Sequence, residues 1–183
     1  MDEGDPVLEL LDESRAGERA AARQRERSLR WLAQEEASLE GTLVDLAERG
    51  SAVTVRSGAG PAHHGWVLGV GGDFCVVRGE SGAHVYLRLD AVTTVRPRAG
   101  TAHPPATGTR RPPADRLLLE VLGRVVADRP RVGVVTRGGE AVAGELRSVG
   151  ADVLTVALDG DPPSLCYVAG GAIAAVTVAE PGR

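Results

Sequence analysis

The chain has 183 residues, of which 43% are hydrophobic and 3% aromatic, and its formal net charge is −4. A chain of this length and apolar content buries a core as one domain or two small ones. The acidic balance argues against a protein that coats nucleic acid by bulk charge, so only a local basic surface would contact phosphates.

The first residues, MDEGDPVLELLDES, are acidic where a secretory signal would be basic. No apolar run approaches the roughly 18 residues that a membrane span requires. We therefore expect a cytoplasmic protein that does not enter a membrane.

Residues 1–34 predict a helical N-terminal extension. A seam of leucines, from Leu29 and Leu32 to Leu39 and beyond, indicates one long helix from about Glu18 into the segment that follows. Arginines recur on this helix every four residues, and such a stripe either contacts RNA phosphates or forms a solvated helix face. The residues of the stripe are Arg15, Arg19, Arg23 and Arg27.

An internal repeat organises the rest of the chain. The phrase GWVLGVGGDFCVV, which begins at Gly65, returns as GELRSVGADVLTV at Gly144, 79 residues later. The same offset aligns the three apolar helix positions that begin at Leu39 with the three that begin at Leu118. A two-residue insertion then aligns Tyr86 with Tyr167. Each copy therefore predicts a helix followed by short strands.

The predicted domains follow the repeat. The first copy, 35–97, has a helix over about 35–49, and the second, 114–179, has a helix over about 114–128 that Pro112 and Pro113 open. Between them, 98–113 is a Pro- and Gly-rich linker. The predicted strands are 52–57, 64–71, 74–79, 83–89 and 92–96 in the first copy and 131–136, 141–149, 152–158, 164–169 and 172–178 in the second.

The repeated phrase suits a small barrel. Glycine at 65, 69 and 71 supplies backbone freedom where the second strand bends, and the Asp after Val-Gly-x is a turn residue. Cys75 and Val77 alternate with Phe74 and Val76, so the first pair faces the interior and the second faces outward or meets a neighbour.

A helix followed by G-x-V-x-x-V-G-x-D-F-x-V-V and then by V-Y…A-V-x-x-V resembles the Sm-like family of small five-stranded barrels. Other SH3-like barrels share this pattern. The resemblance implies an α+β chain of two tandem helix-plus-five-stranded Sm-like (SH3-like) barrels behind the N-terminal helix. It also implies that edge strands pair between barrels.

The chain departs from the family where Sm-like proteins that bind RNA contact bases. Those regions read Phe74-Cys75 and Leu87-Arg88-Leu89-Asp90 in the first copy and Val168-Ala169-Gly170-Gly171 in the second. The resemblance therefore extends to the fold and not to base recognition.

The first copy is the more basic one, with five Arg against three acidic residues over 50–98, whereas the second is acidic. Its candidate RNA contacts are Arg56, Arg78 and Arg88, and the alternative is an ordinary mixed-charge surface. Trp66 and Phe74 stand where the second copy has Glu145 and Val153, and we expect them at an interface.

The sequence contains no recognisable Ser/His/Asp or Cys/His catalytic combination and no phosphate-binding glycine loop. The adjacent His63 and His64 lack the spacing of a compact metal site. Cys75 and Cys166 lie in strands without a nearby ligand partner. We therefore expect no enzyme, no cofactor, no metal and no small-molecule substrate. Two hypotheses remain, a non-catalytic module that binds protein partners or itself, and an RNA-binding regulator that uses the arginine helix and the first barrel.

Overall fold

The computed structural model describes residues 6–58, 60–100, 108, 110–112, 115–160, 162 and 164–179, with backbone alone for 6–16 and 20. Within these ranges the chain is α+β, with three α-helices and one antiparallel sheet of ten strands. The helices are α1 (Pro6–Glu35), α2 (Leu39–Glu48) and α3 (Leu118–Val125).

The prediction of one continuous helix from Glu18 into the first copy is wrong. α1 ends at Glu35, and α2 begins at Leu39 after a turn. The break has a local cause, because Ser38 is extended and its hydroxyl accepts a hydrogen bond from the backbone N–H of Gly41 at 3.0 Å. A serine N-cap of this kind satisfies a free donor of the new helix and starts it at a fixed residue.

The predicted start of the second helix, at 114 after the two prolines, is also wrong. Residue 117 is still extended, and α3 begins at Leu118. The preceding backbone is held against the first copy, since the carbonyl oxygen of Arg116 accepts a hydrogen bond from the N–H of Gly72 at 2.9 Å. This tertiary contact keeps the residues before Leu118 out of the helix, and a 3₁₀ turn (Val126–Asp128) closes it.

The ten predicted strands are all present, with ends that differ by at most two residues. Their bounds are β1 Ala52–Ser57, β2 Ala62–Val70, β3 Phe74–Gly79, β4 His84–Arg88, β5 Val92–Pro97, β6 Arg131–Thr136, β7 Ala141–Val149, β8 Val153–Leu158, β9 Leu165–Ala169 and β10 Ile173–Val178. A 3₁₀ turn precedes β5 (Leu89–Ala91) and another precedes β10 (Gly170–Ala172).

The order of strands across the sheet is β5-β1-β2-β3-β4-β10-β6-β7-β8-β9. The first half of the molecule (α2 and β1–β5) and the second half (α3 and β6–β10) therefore have the same internal order, and they join where β4 pairs with β10. The sheet is open, with β5 at one end and β9 at the other.

The second strand of each half is bent, as the repeated glycines predict. The register between β2 and β3 shifts after Val67, and that between β7 and β8 shifts after Leu146, which is the same place in the repeat. At Gly65 a Cβ would overlap the carbonyl oxygen of Arg78, and at Gly144 it would overlap that of Ala157. Both glycines are thus required by a close approach of two backbones.

Each half has its own core. In the first half, side chains from all five strands and from α2 enclose a cluster that includes Leu43, Val55 and Leu87. The second cluster contains Leu118, Leu122 and Leu146 together with residues of the other strands of its half. Cys75 and Val77 lie in the first cluster, as the alternation predicts.

Most of the predicted linker, including 101–107, lies outside the described residues. Its described part contacts α2. The carbonyl oxygen of Gly108 accepts a hydrogen bond from the N–H of Ser38 at 2.9 Å, and the guanidinium of Arg110 pairs with Glu48 at 2.5 Å. These two contacts hold the end of the linker on the helix of the first half.

Candidate interaction surfaces

The junction between the halves is a pairing of edge strands. Four residues of β4, His84 to Leu87, lie opposite Val178 to Ala175 of β10, with Tyr86 opposite Val176. The expectation that an edge strand of one copy pairs with an edge of the other is thereby met within a single chain. An uncovered edge presents unpaired N–H and C=O groups, and this junction covers one edge from each half.

Phe74 lies at this junction. Although it belongs to β3, its side chain packs in the core cluster of the second half and is 5% exposed. Its ring centroid is 6.0 Å from that of Tyr86, and the rings are tilted by 41°. Val76 packs beside them against the same cluster. The structure thus places the predicted interface residue Phe74 between the two halves of its own chain.

Asp73 links the halves through polar contacts. One carboxylate oxygen accepts a hydrogen bond from the N–H of Leu118 at 2.7 Å, and the other pairs with the guanidinium of Arg88. A second ion pair crosses nearby, with 2.6 Å between the guanidinium of Arg137 and the carboxylate of Asp90. Arg88 is mostly buried in this arrangement, so the structure does not present it as a phosphate contact on the surface.

The repeat allows each junction residue to be compared with its counterpart at the outer ends of the sheet. Leu118 is fully buried, but its counterpart Leu39 is 39% exposed. Tyr86 is half-buried against the second half, but its counterpart Tyr167 on β9 is 69% exposed. Leu165, also on β9, is 55% exposed. The positions that the junction buries are therefore left open at both ends of the sheet.

The outer surface of the first half is basic. Register places Trp66 beside Arg78, and the guanidinium carbon of Arg78 lies 5.9 Å from the centroid of the indole ring. Arg56 and Arg96 are exposed on the neighbouring strands, and His64 accepts or donates a 2.9 Å hydrogen bond with the hydroxyl of Thr54. A cavity of about 330 Å³ is lined by Trp66, His64 and Arg96, and also by Glu80.

The second half has no equivalent of this basic surface. Glu145 stands at the position of Trp66, and Ala157 stands at that of Arg78. Trp66 and Arg78 are therefore specific to the first half. Any ligand that stacks on an indole or pairs with a guanidinium there would be recognised by one half alone.

The arginine stripe of α1 is exposed along the described part of the helix, at Arg19, Arg23 and Arg27. The side chain of Arg15 lies outside the described residues. Arg30 pairs with Glu26 four residues earlier at 2.6 Å, which is the contact expected for a solvated helix face. Leu29, Trp31 and Leu32 of the same helix are exposed as well. The predicted leucine seam therefore does not form a packed face on α1.

Burial shifts the pKa values of two groups in the strands of the first half, Cys75 and His63. Burial raises the pKa of the Cys75 thiol to about 12, which keeps it protonated and unreactive at neutral pH. Desolvation, and then the neighbouring His64, lower the pKa of His63. Within the described ranges, no three His, Cys, Asp or Glu side chains stand close enough together to hold a metal ion.

The sequence identified Phe74 and Trp66 because they differ between the copies, but it gave no weight to Asp73, Leu118 and Tyr167. All three occupy repeated positions, which the sequence shows. The exposure of each residue differs from that of its counterpart in the other copy only because one half covers the other.

In the described part of the chain, no helix is both long enough and apolar enough to cross a lipid bilayer. The chain matches no protein-family model, no curated protein and no solved structure.

Proposed function

We propose that this chain is a non-catalytic, cytoplasmic interaction module that binds protein partners or itself through the open ends of its sheet. The observation that carries the proposal is the contrast between the two tyrosines of the repeat. Tyr86 is half-buried against the second half, whereas Tyr167 is 69% exposed on an edge strand. An edge strand that carries exposed apolar side chains is a docking site for another protein strand.

We further infer that each half is an Sm-like (SH3-like) small barrel. Three features support this inference: a helix before the strands, the strand order β5-β1-β2-β3-β4 repeated in the second half, and a bulge at the same place in the bent second strand. The five strands of the first half all contribute to one core beneath α2, which is the arrangement of a small barrel.

Site-specific photo-crosslinking tests the proposal in cells. A photoreactive phenylalanine at Tyr167 should form covalent adducts with one or a few discrete proteins, which mass spectrometry identifies. The matched control is the same amino acid at Leu68, which is exposed on β2 away from both ends of the sheet. The proposal fails when position 167 gives no adduct, or gives the same adducts as position 68.

The basic outer surface of the first half favours a second candidate function, an RNA-binding regulator. Trp66 with Arg78 offers a stacking ring and a guanidinium, and Arg56 adds a guanidinium on the same face of the sheet. The exposed arginines of α1 would add phosphate contacts. Single-stranded nucleic acid is held by this combination of cations and aromatic faces in many proteins.

Fluorescence anisotropy with mixed single-stranded RNA at two salt concentrations tests this second candidate. Micromolar binding that weakens as salt rises supports it, because phosphate contacts release counterions. The double variant R56A/R78A should then weaken binding, while R131A, which removes an exposed arginine from the second half, should leave it close to wild type. An absence of binding at low salt excludes the RNA function.

A further inference from the structure

We propose that α1 pairs with α1 of a second copy of the chain, with the two helices antiparallel. This interface is separate from the open ends of the sheet and goes beyond the proposed function. Two observations carry it. The described face of a 30-residue helix is left exposed, and the charges along that helix match a second copy that runs in the opposite direction.

The exposure of α1 is the first observation. Of its described residues, 17–19 and 21–35, all are exposed except Ala33, which is half-buried. Leu29 is 67% exposed and Leu32 is 50% exposed. A helix in water is stabilised mainly by burying one face against a neighbour, and the described part of the chain does not cover this one. A partner helix would do so.

Leucines mark one face of α1 near both of its ends. Leu8 and Leu11 lie near the first turn, Leu29 and Leu32 lie near the last, and three heptads separate the two pairs. Alternating steps of three and four residues connect all four positions, which is the spacing of a helix face that packs against another helix. We call the positions on this face, from Leu8 to Leu32, the α1 seam.

The charges of α1 decide the direction of its partner. Residues 6–14 contain three acidic and no basic side chains, whereas residues 15–34 contain six arginines against two glutamates. A parallel pair would place like charges side by side along the whole helix. An antiparallel pair places the acidic end of each helix beside the arginine-rich end of the other, and this complementarity favours the antiparallel arrangement.

The leucines fix the register. When Leu11 lies opposite Leu29 of the second copy, Leu8 lies opposite Leu32, and the same pairs recur at the other end by two-fold symmetry. The midpoint then falls at Ala20, within a run of three alanines whose small side chains allow the helix axes to approach closely. The helices overlap along about 45 Å, and the two sheets stand at opposite ends of the pair.

The middle of the α1 seam limits the affinity. In this register Arg15 lies opposite Arg25 of the second copy, and Glu18 is one turn away. A charged residue at a seam position lowers the stability of a helix pair and helps to set its register. We therefore expect a reversible dimer rather than an obligate one, and a variant without the charge at Arg25 should associate more tightly.

Sedimentation velocity on the purified full chain tests the inference. The wild type should reach the mass of two chains as its concentration rises to about 100 µM, where interfaces of modest affinity are populated. Leu29→Asp places a carboxylate in the seam at two symmetric sites, so the dissociation constant should rise by at least about 100-fold.

The matched control is Trp31→Asp. It adds the same charge at another exposed apolar residue of α1, but on the far side of the helix from Leu29, because two residues turn an α-helix by more than half a circle. Its dissociation constant should stay within about threefold of the wild type. Circular dichroism confirms that both variants keep their helix content.

Arg25→Leu gives a test that does not depend on disruption. Leucine replaces a charge that faces another arginine in the seam, so the dissociation constant should fall by about tenfold or more. An arginine on a free helix surface would show no such gain.

Disulfide formation reads the direction of the helices. In a chain with Cys166→Ser, the remaining Cys75 is buried. Leu11→Cys and Leu29→Cys in this background should form a disulfide-linked pair when the two variants are mixed under mild oxidation. Each variant alone should form few links, because the antiparallel register places identical positions far apart.

Four results would overturn the inference. They are a wild type that stays monomeric at the highest concentration, association that Leu29→Asp leaves unchanged, an Arg25→Leu variant with wild-type affinity, and disulfide links within a single cysteine variant but not in the mixture. The second result would assign the contact to another surface, such as the open ends of the sheet. A monomeric wild type whose position 167 still crosslinks to another protein in cells would leave the proposed function standing.

Discussion

The backbone N–H of Leu118, the first residue of α3, donates a hydrogen bond of 2.7 Å to the carboxylate of Asp73, which lies in the turn between β2 and β3. The helix of the second half is thus capped by a residue of the first. The same carboxylate pairs with Arg88, so one side chain satisfies two donors at the junction.

Replacing Asp73 with alanine should destabilise the protein by about 1–3 kcal/mol, because it leaves a mostly buried guanidinium and a helix N–H without their acceptor. Urea denaturation at low protein concentration measures the change. The matched control is Asp152→Ala, at the counterpart turn, where the carboxylate is exposed and the expected loss is below about 0.5 kcal/mol. Equal losses at both positions would contradict the assigned role of Asp73.

Phe74→Ala should cost about 3–5 kcal/mol, since it removes a buried ring from the core cluster of the second half. The matched substitution in the other copy, Val153→Ala, removes a smaller and less buried side chain and should cost about 1 kcal/mol. Chemical denaturation of both variants checks the difference. A small loss for Phe74→Ala would mean that the two halves are not packed on each other in solution.

Gly65→Ala should be destabilising by about 1–3 kcal/mol, because the new methyl group would overlap the carbonyl oxygen of Arg78 and push β2 from β3. Gly69→Ala is the control on the same strand, since a Cβ there meets no atom within 4 Å. Thermal unfolding should show a clear fall in Tm for the first variant and little change for the second. A similar Tm for both would show that the strands do not approach closely at Gly65.

Stability should fall as pH decreases below the ordinary pKa of histidine, in part because of His63. Desolvation is the main cause of the lowered pKa of this residue, so the unfolded chain takes up a proton before the folded protein does. The contribution of the neutral His63 side chain to the free energy of unfolding is fully present above the ordinary histidine pKa of 6.5. It is lost as the pH falls from 6.5 to the lower pKa that His63 has in the folded protein. Below that range the loss is complete.

The measurement is the free energy of unfolding at pH 7.5 and pH 5.5, by urea titration, for the wild type and His63→Gln. The variant should lose less stability between the two pH values, because glutamine does not titrate. Carboxylates that titrate at lower pH affect both proteins and cancel in the comparison. An identical pH dependence in both proteins would exclude His63 as a contributor.

The sequence by itself determined the repeat, the position of all ten strands and the alternation that sends Cys75 inward and Phe74 outward. These features depend on local chemistry, namely on glycine where backbones approach, on β-branched residues in strands and on side chains that alternate between two faces. The offset between the copies also contained the relation of Tyr86 to Tyr167, because repeated positions are visible without coordinates.

Only the tertiary structure decided where the helices begin and which repeated positions are covered. α3 starts at Leu118 because Asp73 and Gly72, more than 40 residues earlier, bind the backbone around it. Leu39 and Leu118 have the same place in the repeat, yet one is exposed and the other buried, because β10 of the second half pairs with β4 whereas β5, its counterpart in the first half, ends the sheet. Burial is a property of neighbours in space, so two equivalent residues acquire different roles when a neighbour covers only one of them.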